Sequence, residues 1–318
     1  MTENAVRDDP HSPDPVLLVG AVTWDVVDGQ RVPGGAVTYA ARAATALGIR
    51  AYVLVAAGDD ADLDAFEGHE LAVVRLEQTM TLEHRFEASV FGAGIRHQRV
   101  VSRPHRGLHP SDTPSAWPAP RTMVLGTLLP DDIDAPAFLA LGAQETALIA
   151  QGMQRRIAAD GTIEDLDAPS EALRDAARPD VTVCLSSDET DRWPAGALGH
   201  LVGRSRRIVR TLGAAGAEIR TRDGDEERTL HIPALPATVV DTTGAGDVFA
   251  TALILAVRAG EGVAGRLAAA CAAACVERRA SAPLPARTEL EARAGIPRSG
   301  ETRAGLNSSD EPRARGDR

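Results

Sequence analysis

Residues 241–247 read DTTGAGD and run without a break into the apolar stretch VFATALILAV at 248–257. A helix that apolar is buried on every side, so its start must carry whatever chemistry the segment has. The first turn of a helix leaves backbone N–H groups unpartnered and bears about half a positive charge, which attracts anions. Gly244 and Gly246 lack a Cβ and let the backbone close on an anion, whereas the carboxylate of Asp247 opposes one. Two readings reconcile them. In one, Asp247 makes an Asx-type turn that caps the helix. In the other it is a base that takes a proton from a hydroxyl, while the amides of Gly244, Ala245 and Gly246 hold the developing negative charge.

Composition narrows the classes. The 318 residues give room for one large α/β domain, with or without a small appendage. A content of 44% hydrophobic and 25% charged residues suits a globular protein. With 34 basic against 45 acidic residues the net charge is −11, which argues against nucleic acid or an anionic membrane as the main partner. Every fixed cation is arginine. A Walker A loop and the ion pair of protein kinases both need a lysine, so both are excluded. Cys184, Cys271 and Cys275 lack C-x-x-C spacing, and the last two share one face of an Ala-rich helix in AAACAAACVERR. That usage predicts a reducing, cytoplasmic setting and no structural zinc. The N-terminus MTENAVRDDPHSPDP has no apolar signal core, and no stretch approaches the length of a membrane span. The histidines are scattered without metal-ligand spacing, and no G-x-G-x-x-G follows the first strand. A metallohydrolase and a dinucleotide-dependent oxidoreductase are therefore poorly supported.

Residues 1–14 and 298–318 lack apolar periodicity and are expected to be disordered tails. Between them, over 15–297, short apolar runs alternate with helical or loop-like sequence. PVLLVGAV, AYVLVAA, TMVLG, TALIAQG, DVTVCLS and RIVRTLG read as buried strands, and GGAVTYAARAATALG as a helix ended by Gly48. Strands alternating with helices predict an α/β fold with a mostly parallel central sheet covered on both faces. Two excursions break the rhythm. WDVVDGQRVP and LEHRFEASVFGAGIRHQRVVS, at about 25–33 and 82–102, read as extended segments that pair into a small sheet over a site, or as ordinary surface hairpins.

Several motifs in one order carry a family resemblance. VGAVTWDVVDGQRVPGGAVTYAARAATALG resembles the N-terminal signature of ribokinase-like (PfkB) carbohydrate kinases, DTTGAGDVFATAL resembles their second signature, and RTLGAAG between them is similar to their nucleotide motif T-x-G-x-x-G. The resemblance spans roughly residues 16 to 290. It implies a three-layer α/β/α kinase domain with a β lid, acting on a hydroxyl of a small sugar, sugar acid or cyclitol with ATP and Mg²⁺. Carried over by position, it implies that Asp247 is the base and Gly244, Ala245 and Gly246 the anion hole. Asp25, Gly34, Gly35 and Tyr39 fall on sugar-binding positions, and Thr211, Gly213, Gly216 and Thr243 on nucleotide-binding ones. The resemblance also allows a monovalent cation near Asp241 and Thr243 and a homodimer through the lid.

Two departures bear on the substrate. Tyr39 stands where the first signature usually has Asn, exchanging an amide for a longer phenol with one hydroxyl. The family's N-x-x-E, which supports magnesium-bound water, is matched only by SSDE, with Ser186 for the Asn and Glu189 for the Glu. Glu83, Arg96 and Gln98 on the hairpin and Gln151 at a strand end are further candidate contacts, and Trp24 either stacks on a ligand or packs. Two other readings remain: a nucleoside kinase of the same fold, which would need apolar or aromatic walls, and a kinase-fold binding protein that has lost turnover.

Overall fold

The computed structural model describes residues 14–297 except 90, 91, 104, 105 and 225, and the side chains of 86–96 also fall outside that description. Apart from Asp14, both expected tails lie outside the described residues. In chain order the elements are β1 (Val16–Ala21), β2 (Thr23–Val27), β3 (Gln30–Gly34), α1 (Ala36–Ala46), β4 (Tyr52–Ala57), β5 (Glu70–Arg75), β6 (Met80–Ser89), β7 (Gly92–Ser102) and β8 (Thr122–Gly126). They continue with α2 (Ala135–Leu139), β9 (Glu145–Ile149), β10 (Arg155–Ile157), β11 (Ile163–Asp165), α3 (Glu171–Ala176), β12 (Val181–Ser186), α4 (Ser187–Thr190), α5 (Ala197–Val202) and β13 (Arg207–Thr211). The chain then forms β14 (Ala217–Asp223), β15 (Glu226–Ile232), α6 (Ala245–Ala256), α7 (Glu261–Val276) and α8 (Arg287–Arg293).

Among the described residues, nine strands form the main sheet in the order β15-β14-β13-β12-β9-β8-β1-β4-β5. Pairing is parallel from β13 through to β5, and antiparallel at the β14–β15 edge. The expected α/β class with a mostly parallel sheet is borne out. The six apolar runs supply six of the parallel strands because strands without a polar face must be covered on both sides. Leu18, Leu54, Met123, Leu125, Leu148 and Ile208 are each less than 2% exposed. The β14–β15 hairpin was not foreseen. Residues 226–231 are all exposed apart from their backbone pairing, so no apolar alternation betrays them.

The order runs outward in both directions from β1 and β8, which places a topological switch point at their carboxyl ends. Helix α1 lies tightly over those two strands. A Cβ on Gly20 would stand 2.8 Å from Val37 Cβ, and one on Gly126 the same distance from Ala36 Cβ. Small residues on both sides bring the helix close, as its Ala-rich sequence suggested. Helices α1 and α7 both pack on α6, and Ala40, Ala43, Ala252, Ala268 and Ala274 are fully buried.

The two excursions join in a second sheet, β3-β2-β6-β7, standing at the carboxyl end of the main one. Strands β2 and β3 turn at Asp28 and Gly29, both with positive φ, which matches the twist of a two-residue hairpin. The guanidinium of Arg31 lies 4.8 Å from the ring centre of Trp24. Trp24 Nε1 donates to the Asp60 carbonyl, and Arg31 donates to the Asp60 carboxylate at 3.0 Å. Trp24 therefore packs as a clamp between this hairpin and the loop after β4. No helix among the described residues is long and apolar enough to cross a membrane.

Candidate active site

The start of α6 is built around Gly244, whose φ of 75° makes it a left-handed N-cap. The amides of Ala245, Gly246 and Asp247 follow in the first turn, with Asp247 as its one acidic residue. Among the described residues no side chain caps this turn; the Ala245 amide reaches the Thr242 carbonyl at 3.4 Å, and the first-turn amides after it have no acceptor within the helix. A Cβ on Gly246 would lie 3.9 Å from Thr211 Oγ1. The end of β13 therefore abuts the first turn of α6. Gly216 is required for a steric reason, since a Cβ there would come within 2.1 Å of the Ile232 carbonyl. Gly213 sits in a one-turn helix between Thr211 and Gly216 with open space beside it.

Tyr39 is 3% exposed and its ring presses on Gly244. Burial first, then the charges of Asp25, Cys275, Asp241 and Asp247, raises its phenol above the usual range. Both Asp25 and Asp247 are thus near enough to the ring to act on its phenol. Cys184 at the end of β12 and Cys275 on α7 feel Asp247 as well, and burial pushes both thiols up to about 12.

On the lid side, Asp25 is 7% exposed and folds over Gly34, where a Cβ would stand 2.5 Å from Asp25 Oδ2. Thr23 donates to Asp25 Oδ1 at 3.0 Å. Gly35, with φ of 99°, caps α1 and lies so close to β1 that a Cβ would come within 2.5 Å of the Ala21 carbonyl. Strand alternation puts Thr23, Asp25, Leu82 and His84 on the face toward the main domain. Glu83 points the other way, near Arg85 and Arg99 in exposed ion pairs, so it is not brought to the site. The Arg96 side chain falls outside the described residues. Gln98 faces inward and joins His84 to the buried Arg155. Gln151 starts a one-turn helix after β9. His84 and Arg155 were missed by the sequence reading. A histidine in a hairpin carries no local signal of burial, and Arg155 is recognisable only once β10 is folded beneath the lid.

Ser186 and Glu189 form a capping box at the end of β12. Ser186 Oγ accepts from the Glu189 amide, and Glu189 Oε2 accepts from the Ser186 amide at 2.6 Å and hydroxyl at 2.9 Å. Glu189 Oε1 is buried with no hydrogen-bond partner. Burial raises this carboxyl above the ordinary range despite the Ser186 bonds. Asp241 holds the approach to α6: its oxygens accept from the Thr243 and Ala280 amides at 2.9 and 3.0 Å. Burial opposes its charge, but those bonds and Arg279 together keep its carboxyl below the usual range.

Comparisons with known proteins bear on the family and the fold. Residues 191–287 match the model of the pfkB family carbohydrate kinase. Among curated proteins no sequence match was found. A pyrophosphate-dependent kinase in the ribokinase family, complexed with a pyrophosphate analog and myo-inositol, is similar in structure with TM-score 0.67 and 20% identity, over 87% of this chain and 99% of that one. Arabidopsis thaliana ribokinase complexed with ribose and ATP gives TM-score 0.60 and 18% identity, over 90% and 100% of the two chains. Burkholderia thailandensis nucleoside kinase with inosine gives 0.59 and 20%, over 88% and 97%. At such identity the likeness carries the fold. The family resemblance is borne out over the matched segment, which holds the second signature and the RTLGAAG motif, and the ribokinase-type fold is borne out over most of the chain.

Proposed function

We propose that this chain, a pfkB-family segment on a ribokinase-type fold, is an ATP-dependent kinase that phosphorylates a hydroxyl of a small sugar, sugar acid or cyclitol. The observation that supports this is the start of α6, where a left-handed Gly244 opens a first turn that carries Asp247 and lies beside Thr211. Phosphoryl transfer asks little more of a protein than positioning and charge stabilisation. Asp25, Gly34, Gly35 and Tyr39 hold the polyol, and Asp247 removes the proton of the attacking hydroxyl. The amides of Gly244, Ala245 and Gly246 then take the negative charge of the moving phosphoryl group.

Thr211, Gly213, Gly216 and Thr243 receive the donor. Magnesium, when bound, offsets the phosphate charge. The buried, unpartnered Oε1 of Glu189 suits it as an acceptor for metal-bound water. Pyrophosphate is a second reading for the donor, because the pyrophosphate-dependent kinases superpose with TM-scores of 0.66 to 0.69 against 0.60 for the ATP-bound ribokinase.

The test is magnesium-dependent product release, as ADP from ATP or phosphate from pyrophosphate, with pentoses, hexoses, sugar acids, inositols and nucleosides as acceptors. Stimulation by a polyol supports the reading. Donor and acceptor binding without turnover on any of them would favour a kinase-fold binding protein instead.

A further inference from the structure

We infer that His84 is a substrate-binding residue, paired with Asp25 to grip neighbouring hydroxyls of a neutral polyol and held in the required tautomer by Gln98 and Arg155. The inference rests on the kinase reading above and narrows its acceptor. His84 is 7% exposed, and its Nε2 has no hydrogen-bond partner. That nitrogen lies 3.4 Å from Asp25 Oδ1 without forming a hydrogen bond to it, so two complementary groups lie side by side, each with capacity to spare.

The tautomer follows from a chain of donors. The guanidinium of Arg155 can only donate. One amino group binds the Leu128 carbonyl at 2.9 Å and the other Gln98 Oε1 at 2.8 Å. The amide oxygen of Gln98 is thus turned to Arg155, and its NH₂ to His84 Nδ1 at 3.3 Å. His84 and Gln98 are direct cross-strand partners on β6 and β7, which fixes this meeting. Nδ1 accepts, so the ring proton sits on Nε2, toward Asp25.

A hydroxyl seated between them accepts from Nε2–H and donates to the carboxylate, and its neighbour on the ring reaches the other carboxylate oxygen. An acidic substrate fits poorly. Two carboxylates, Asp25 and Asp247, lie near enough to Tyr39 to act on its phenol, and both Arg155 amino groups donate to protein oxygens, the Leu128 carbonyl and Gln98 Oε1. The pair therefore selects a neutral vicinal diol over a sugar acid.

The test uses the full chain with ribose, fructose and myo-inositol beside gluconate and glucuronate. The nitrogen-15 spectrum of the histidine rings, with His84 assigned from a His84→Phe or His84→Asn variant, should show a bare Nδ1. An accepted polyol should displace the Nε2 signal, whether or not turnover follows. His84→Phe should raise KM for that polyol about 10–100-fold with a far smaller change in kcat, as expected for a hydrogen bond to a charged pair. Gln98→Leu should move KM the same way by less. If His84→Phe does not unfold cooperatively, His84→Asn serves for the kinetics. A polyol that moves His84 without being phosphorylated would count against the kinase reading alone. A wild-type KM in the variants, preference for an acid, or no polyol displacing His84 would overturn the inference.

Discussion

Gly244→Ala probes the packing that joins the helix start to the substituted tyrosine. At φ of 75° an L-residue costs about 1–2 kcal/mol. The new Cβ would also stand 2.2 to 2.3 Å from three ring atoms of Tyr39, a side chain only 3% exposed. Overpacking of that kind adds about 1–3 kcal/mol, for a total of about 2–5 kcal/mol. Tyr39→Ala removes the ring and with it only the second part. In that background Gly244→Ala should cost about 1–2 kcal/mol. Urea unfolding of the four proteins measures the difference as a coupling of about 1–3 kcal/mol. Because the clash displaces the Ala245 and Gly246 amides, phosphoryl transfer should fall as well. Equal destabilisation in both backgrounds would refute the contact and the position it gives Tyr39.

Asp132, fully buried, is raised to about 7 because desolvation outweighs the Leu128 and Leu129 amides. The native state then keeps a proton that the unfolded chain loses above pH of about 4, so stability falls as pH rises from about 4 to about 7, by at most about 4 kcal/mol. Asp132→Asn removes this term, and its stability advantage in urea should grow over that interval; a constant difference would contradict it. Asp60 behaves oppositely. The Thr79 hydroxyl and amide, with Arg31, hold it down to about 2, so it stabilises above pH of about 4 and the effect is lost as pH falls toward 2. Asp60→Asn should flatten that acid limb of the unfolding midpoint. Cys184, Cys271 and Cys275 are buried with thiols pushed up to about 12. A maleimide at neutral pH should leave the folded protein unlabelled and label all three in urea, and rapid labelling of folded protein would contradict their burial.

What the sequence disclosed was local. The apolar runs at 16–21, 52–57 and 122–126 needed only burial on both faces to become central strands. The start of α6 was legible as a helix entrance because glycine and aspartate ahead of an apolar run are helix-start signals. Ser186-x-x-Glu189 was read only as a match to the family's N-x-x-E; the structure makes it a capping box, whose S-x-x-E signature lay in the sequence unread, and leaves Oε1 buried without a hydrogen-bond partner. The remainder lay in pairings across long separations. Trp24 finds Asp60 36 residues away, and Arg155 finds Gln98 at 57. His84 belongs to the same class, since its role depends on which strand lies beside it. Polar residues on the hairpin read alike, yet alternation sends Glu83 to solvent and His84 to the interior.

The central claim is that Asp247 takes the proton while the turn before it holds the charge. Asp247→Asn keeps the shape of the first turn and removes the base. With an accepted polyol and magnesium, product release should fall about 10²–10⁴-fold, while the unfolding midpoint and the affinity for the polyol stay close to wild type. A variant that turns over at the wild-type rate would contradict the account.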